Sequence, residues 1–477
     1  MSDTIHDIVV IGGGPGGYGV AFRAHARGLD VAMVEADAMG GTCLNRGCIP
    51  SKSILHVAGV LEEVKRANSF GLDVTFNGID GEALDAFREQ VMGQLRTGLT
   101  ALAKQRTTYV EGYGRLTQAD GDVKEVAVDL KDGGTQTLRG RHVVLATGST
   151  PRVPGGWEVD GEVVQTSDQA LWFTEAPGRA VIIGAGAIGM EFASMWEPMG
   201  TQVTVVEALD RVLPLEDADA SKTVARAFKK RKIDVRTGTK VVGVSKDGDT
   251  GRVIVERKGD VEELEADVVL VAIGRGPNTA DTGADEAGVL DERGFVATDE
   301  LGQTKVQGVW AVGDVRPTLA LAHAAFAEGF VVADAIAGLD PTPVDHVQTP
   351  RVTYCHPEVA SVGLTEAEAK EQHGEVVTTK YSLKANAKGI IHGSDGFVKV
   401  IAAKVDESPA YPDGIGATLG VHVVGPMATD IIGEAALATS WEALPSEVAA
   451  ITHAHPSLYE AMGEAFMAVA GVPFHGH

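Results

Sequence analysis

Four apolar residues, Ile8 to Ile11, run straight into Gly12-Gly13-Gly14-Pro15-Gly16-Gly17, and a second apolar run follows at Val31 to Val34. That order predicts strand, tight glycine turn, helix, strand, with Pro15 suited to the first helical turn and Gly28 stopping the helix at about Arg27. The second strand ends on Glu35. The same pattern returns at Val181 to Glu207. Gly12, Gly14, Gly17, Gly28 and Glu35 reappear as Gly184, Gly186, Gly189, Gly200 and Glu207, each 172 positions later. No insertion or deletion interrupts the match, so the chain carries two modules of one design.

Between the modules, 55–110 reads as helical and polar, and 110–145 as short strands ending in Val143-Val144-Leu145. Strands return over 225–275, closing with Val268 to Ile273. Pro198 is expected in the last turn of the second module's helix, where it removes a donor and bends the helix end. From about 346 the pattern changes to strands at Gly396 to Ile401 and Thr418 to Val424, then helices at Asp430 to Leu444 and Pro456 to Val469. This tail predicts an α+β domain with an antiparallel sheet, and the loop Asp406 to Asp413 reads as an insertion. At about 150 residues per domain, 477 residues predict roughly three domains, and the fold class is α/β.

Composition adds exclusions. The net charge is −25, which repels nucleic-acid phosphates and anionic lipid heads. Solubility is the plain reading of that charge, and attraction to a basic docking domain is the sharper one. No window is apolar enough for a transmembrane helix, and the acidic start MSDTIHDIVV lacks the basic region of a signal peptide, so a cytoplasmic protein is expected. Cys43, Cys48 and Cys355 are too few for a disulfide framework. The close pair Cys43 and Cys48 points to redox chemistry or to metal, and metal is weaker because no second Cys or His pair lies nearby. No metal site is expected.

Each glycine loop follows an apolar strand, opens a helix and has an acid at the end of the next strand. Glycines let the backbone approach a pyrophosphate, the helix N-terminus supplies unpaired N–H groups, and the acid binds a ribose hydroxyl. One such loop is weak evidence; two matched copies predict two dinucleotides. A carboxylate at Glu207 repels a 2′-phosphate, and Arg211 is poorly placed to accept one, so NAD is favoured over NADP. A cysteine pair needs a two-electron relay, which makes FAD plus NAD the natural combination. Cys43 and Cys48 are five apart, so an ideal helix would turn them away from each other. A small redox loop therefore requires the backbone to bend between them. Lys52 is a nearby cation that would favour a thiolate. Cys355 reads as a buried small residue, and His453 and His323 as structural.

The segment Gly40-Gly41-Thr42-Cys43-Leu44-Asn45-Arg46-Gly47-Cys48-Ile49-Pro50-Ser51-Lys52 closely resembles the active-site segment of the class I pyridine nucleotide–disulfide oxidoreductases. In the same order come Thr147-Gly148-Ser149, the second fingerprint ending in Glu191, Ala272-Ile273-Gly274-Arg275, Trp310 to Asp314, His356-Pro357-Glu358-Val359, and His453-Ala454-His455-Pro456-Ser457-Leu458-Tyr459-Glu460. The resemblance spans essentially the whole chain. It implies an FAD-binding domain at 1–150 and 276–345, an NAD-binding domain at 151–275 and a dimerisation domain at 346–477.

The resemblance also implies roles. Cys48 would face the flavin as a charge-transfer thiolate, and Cys43 would exchange with substrate. Lys52 and Glu191 would pair near the flavin and the nicotinamide. His455 would be the acid/base, oriented by Glu460 and reaching the cysteines of the other subunit. FAD would be held by Gly12, Gly14, Gly17, Glu35, Thr42, Lys52, Gly114, Thr147, Gly148, Ser149, Asp314 and Ala322. NAD would be held by Gly184, Gly186, Gly189, Glu207, Val241 and Gly274. A thiolate exchange needs a base, and imidazole backed by a carboxylate supplies one near neutral pH.

Within that family Glu207 disfavours NADP-linked glutathione reduction. The ending Gly471 to His477 carries no extra cysteine pair of the mercuric reductase kind. The tail is similar to the pattern of the branch that oxidises dihydrolipoamide with NAD. That implies a homodimer and, as a partner, the lipoyl domain of a 2-oxo acid dehydrogenase or glycine-cleavage complex. Another disulfide or metal-ion reductase and a non-enzymatic flavin and NAD scaffold are the alternatives.

Overall fold

The computed structural model of the chain describes residues 4–475. The first module comprises β1 (Ile5–Ile11), α1 (Pro15–Ala26), β2 (Val31–Glu35), α2 (Gly41–Arg46), α3 (Cys48–Arg66), α4 (Gly81–Arg106), β3 (Thr108–Gln118), β4 (Lys124–Leu130) and β5 (Thr135–Leu145). β1 lies parallel between β2 and β5, and Ile8, Val9 and Val10 are fully buried. Burial on both faces explains why this strand reads as an unbroken apolar run rather than an alternation. The strands of 110–145 are longer than their sequence predicts. β3 and β5 each leave the parallel sheet and continue into an antiparallel meander through β4.

The next stretch is β6 (Ser149–Pro151), β7 (Val164–Thr166), α5 (Ser167–Ala170), β8 (Arg179–Ile183), α6 (Ala187–Trp196), β9 (Gln202–Val206), α7 (Ala218–Lys230) and β10 (Asp234–Arg236). It continues with β11 (Lys240–Asp247), β12 (Thr250–Arg257), β13 (Asp260–Ala266), β14 (Val268–Val271) and β15 (Arg275–Pro277). Its parallel sheet has the order β10-β9-β8-β14-β7, and β6 pairs with β15 as the link back to the first module. β16 (Val309–Ala311) then completes the first sheet beside β5, and α8 (Ala322–Ile336) packs on α1. The two parallel sheets therefore repeat one layout, with each glycine loop at the carboxyl end of a central strand where strand order reverses. Arg23 and Arg27 both fork onto Asp334, tying α1 to α8 at 2.6–3.1 Å.

The last part holds β17 (Arg351–Thr353), β18 (Glu358–Gly363), α9 (Glu366–His373), β19 (Val376–Ser382), α10 (Ala387–Ile391), β20 (Phe397–Lys404), β21 (Ile415–Gly425), α11 (Ala428–Ser440), α12 (Pro445–Ala449) and α13 (Tyr459–Val469). Its five strands form one antiparallel sheet, ordered β17-β18-β21-β20-β19, as the tail's pattern predicts. No helix among the described residues is long and apolar enough to cross a membrane.

Three local expectations change. The predicted helical span 55–110 breaks at 71–80, where Gly71 turns the chain at φ +81° and Asp80 caps the next helix by accepting from the Ala83 N–H at 3.0 Å. The helix predicted over Asp430 to Leu444 ends at Ser440, because Glu442 takes φ +53° and Pro445 opens a new one. Pro198 lies beyond the end of α6 at Trp196, so it removes no helical donor.

The second module is pinned to the antiparallel sheet by Lys399. Its ammonium is buried and meets Asp217 at 2.9 Å, Asp219 at 3.0 Å and Glu366 at 2.7 Å. Burial opposes ionisation of Asp217, yet the hydrogen bond and charge of Lys399, with His422 and the Asp219 N–H, together outweigh it and hold the carboxyl below its ordinary range. That stabilisation is present at neutral pH and is lost as pH falls through the lowered pKa. Lys399→Met strands a buried carboxylate, and the expected cost is about 3–5 kcal/mol. Urea unfolding of the holoenzyme reads this as a lower midpoint; an unchanged midpoint contradicts the pin.

Candidate active site

The two glycine loops share one backbone geometry. Gly12 and Gly184 sit at φ +109° and +107°, where a side chain would be strained. A Cβ on Gly17 would fall 1.9 Å from the Gly12 carbonyl oxygen, and one on Gly189 would fall 2.0 Å from that of Gly184. Gly14 and Gly186 are the N-caps of α1 and α6, and neither helix has a side-chain cap. A Cβ on Gly186 would meet nothing within 4 Å and one on Gly14 only the Gly41 Cα at 3.8 Å, so both helix ends open onto space. Glu35 accepts from the Gly13 N–H at 2.6 Å and the Asp37 N–H at 2.7 Å. Glu207 accepts from Ala185 at 2.7 Å and Leu209 at 2.8 Å. Arg211 turns its guanidinium to the Pro214 carbonyl at 2.7 Å, and both oxygens of Glu207 stay on backbone N–H groups.

The bend that the cysteine pair requires is present at Gly47. Cys43 lies in α2, Gly47 leaves helical geometry at φ −146° and ψ −108°, and Cys48 starts α3. The Asn45 amide holds α2 back against the preceding turn, donating to the carbonyls of Met39 and Gly41 at 3.1 Å. Both thiols are half-buried. The hydrogen bond from Cys43 lowers the Cys48 thiol to about 7 against the opposing effect of burial, with Lys52 assisting. The same contact and burial push Cys43 upward. Cys48 is also the first residue of α3, whose positive end favours a thiolate.

Lys52, one turn along α3, donates to both oxygens of Glu191 at 2.9 and 3.0 Å. Burial works against the ammonium, but Glu191 and Cys48 outweigh it and raise its pKa. One cavity runs from Gly12, Gly14 and Glu35, past Thr42 and Gly114, to Cys43, Cys48 and Lys52. Thr147, Gly148, Ser149, Asp314 and Ala322 line its other wall. Of the residues predicted for FAD only Gly17 stays outside, packed under the loop. From the second module α6 brings Ala187, Ile188 and Glu191 to the same cavity, whereas Gly184, Gly186, Gly189, Glu207, Val241 and Gly274 do not line it. Val241 packs in β11 against Val255, and Gly274 turns at φ +111° ahead of β15.

His455 is elsewhere. Its side chain is 78% exposed, on the loop before α13, and it does not line the cysteine cavity. Nδ1 meets Glu460 at 2.6 Å, and the second oxygen of Glu460 accepts from the Ser457 N–H at 2.7 Å. One carboxylate thus caps the helix and fixes the imidazole. His453 is paired instead with Glu434 at 2.8 Å, His323 with the Pro350 carbonyl at 2.7 Å, and Cys355 is buried.

The model of a family described as pyridine nucleotide-disulphide oxidoreductase matches residues 6–329, and the model of that family's dimerisation domain matches 349–466. The chain belongs to the pyridine nucleotide-disulphide oxidoreductases. A dihydrolipoyl dehydrogenase of Bacillus subtilis is 39% identical over 99% of both chains. One of Mycobacterium tuberculosis is 40% identical over 98% of this chain and 99% of its own. A mitochondrial dihydrolipoyl dehydrogenase of Pisum sativum is 38% identical over 98% and 92%. Among solved structures, LpdA of Mycobacterium tuberculosis superposes with a TM-score of 0.89 at 26% identity, covering 98% of this chain and 100% of that one.

The cofactors of this disulphide oxidoreductase are FAD and NAD. The uncapped N-termini of α1 and α6 fit their pyrophosphates, and Glu35 and Glu207 fit the adenosine riboses.

Two contacts had no local signal in the sequence. Arg275 donates to Ser149 Oγ at 2.8 Å, and Ser149 donates to Asp314 at 2.6 Å, so the link between the modules reaches a cavity carboxylate. Tyr354 donates its backbone N–H to Glu191 at 3.0 Å. In the reduced enzyme Cys48 is a thiol below about pH 7 and a thiolate above it. Cys43→Ala or Lys52→Met moves that transition upward, read from the pH dependence of iodoacetamide alkylation. A transition still near pH 7 in both variants contradicts the assignment.

Proposed function

We propose that this enzyme oxidises dihydrolipoamide carried on the lipoyl domain of a 2-oxo acid dehydrogenase or glycine-cleavage complex and reduces NAD. Each active site is completed by His455 of a second subunit. The observation that carries the reading is the Cys43 and Cys48 pair beside the Lys52 and Glu191 ion pair, in one cavity lined by the first glycine loop and by α6 of the second module. On this reading residues 1–150 and 276–345 bind FAD, 151–275 bind NAD and 346–477 form the dimer. We assign the enzyme to the cytoplasm, a reducing compartment.

His455 takes a proton from one thiol of the substrate. The thiolate attacks Cys43 Sγ of the oxidised pair, the Cys43–Cys48 bond breaks, and Cys48 leaves as a thiolate facing Lys52. The second substrate thiol attacks the substrate sulfur of the mixed disulfide, its proton passing to Cys43 as that sulfur leaves, so the product ring closes while His455 keeps the first proton. Exchange through Cys43 fits the lowered pKa of Cys48, since the better-stabilised thiolate is the better leaving group. FAD, which Gly12, Gly14, Glu35, Thr42 and Asp314 would hold, would supply the two-electron relay between the reduced cysteines and NAD. Glu460 keeps the His455 tautomer and ring orientation through Nδ1, leaving Nε2 for the substrate proton.

An exposed base on the dimerisation domain and a dithiol in another domain's cavity fit a site shared across a two-fold interface. Cys48→Ser and His455→Ala each lower dihydrolipoamide turnover by about 10²–10⁴-fold as homodimers. Dissociated and remixed subunits regain about one quarter of wild-type activity, because half of the random dimers contain one intact site. No recovery in verified hybrid dimers sinks the shared site. Faster turnover of glutathione disulfide than of lipoamide sinks the substrate assignment.

A further inference from the structure

Lys52 belongs to the module of the first glycine loop, Glu191 to that of the second, and a residue of the third part of the chain touches both. Tyr354 sits between β17 and β18, next to Cys355, which is buried. Its backbone N–H donates to Glu191 Oε1 at 3.0 Å, and its ring lies 4.5 Å from the Lys52 ammonium. Two residues on, the His356 N–H donates to Ser194 Oγ at 3.0 Å, so two alternate N–H groups fasten this segment to one face of α6. The backbone from which the Tyr354 ring projects is therefore fixed on α6.

We propose that Tyr354 is a positioning residue for the redox centre, clamping the Lys52 ammonium between the Glu191 carboxylate and the Cys48 thiolate. The inference rests on the functional reading above. An aromatic face attracts an ammonium and removes water from one side of it. With that side closed, the charge of Lys52 acts on Cys48 through a drier medium, in which a given separation counts for more. The hydroxyl has no part in this, since burial raises its pKa and it stays neutral. The clamp also couples the parts of the chain. A shift of the antiparallel sheet relative to α6 would move the ring and the Glu191 N–H contact together, and the thiolate would register it.

The variants are Tyr354→Phe, which keeps the ring, and Tyr354→Leu, which keeps the bulk and the backbone donor without it. Holoenzyme of each is reduced anaerobically with dihydrolipoamide, and the long-wavelength absorbance of the Cys48 thiolate against FAD is titrated with pH. Wild type and Tyr354→Phe should titrate together. Tyr354→Leu should titrate about one pH unit higher, a tenfold smaller thiolate population below the transition. FAD content and circular dichroism confirm that both variants are folded, and alkylation of Cys48 gives the same transition without the absorbance band. Equal transitions in all three proteins overturn the clamp, and so does a shift in Tyr354→Phe matching that of Tyr354→Leu, which would place the effect on the hydroxyl. A wild-type protein that gives no such band with dihydrolipoamide overturns the functional reading instead, whatever residue 354 does.

Discussion

The Lys52 ammonium, held at 2.9 and 3.0 Å by both oxygens of Glu191 and set beside Cys48, is the contact on which the rest of the site depends. A charge in this setting is tolerable only if partners replace the lost water. Those partners come from separate parts of the chain: Cys48 shares α3 with Lys52, Glu191 comes from α6 of the second module, and the N–H that steadies Glu191 comes from beyond β17. The modules must therefore be docked before the thiolate is poised. The buried Lys399 cluster docks the second module on the antiparallel sheet, and the β6–β15 link, which lines the cavity, ties it to the first module.

Much of this was legible in the sequence because it is encoded locally. The 172-residue repeat fixes two strand–glycine–helix units, and their agreement extends to the backbone N–H groups on Glu35 and Glu207. The same holds for the antiparallel tail and for the glycine that bends the chain between Cys43 and Cys48. What escaped depends on partners distant in sequence or on single dihedral angles. Asp80 interrupts a helical pattern through a cap, Glu442 ends one through positive φ, and Pro198 falls just past a helix rather than in it. Tyr354 and Arg275 act through contacts 163 and 126 residues away, which no periodicity announces.

His455 shows how an isolated chain can be chemically incomplete. Glu460 orients it and caps α13 with the same carboxylate, yet the imidazole faces outward on the dimerisation domain. The sequence supplied the residue and its orienting acid; on the proposed function, the outward placement is the reason a second copy completes the site. The match to the family's dimerisation domain over 349–466 supports a homodimer.

The most direct measurement of the account is anaerobic stopped-flow reduction of the oxidised holoenzyme by dihydrolipoamide, followed by a pulse of NAD. A long-wavelength band should form with loss of the disulfide, then decay as one NADH appears per site. In Cys48→Ser the band should be absent and dihydrolipoamide should yield no NADH. NADH formed at the wild-type rate by that variant would place the electron path outside the cysteine pair and contradict the account.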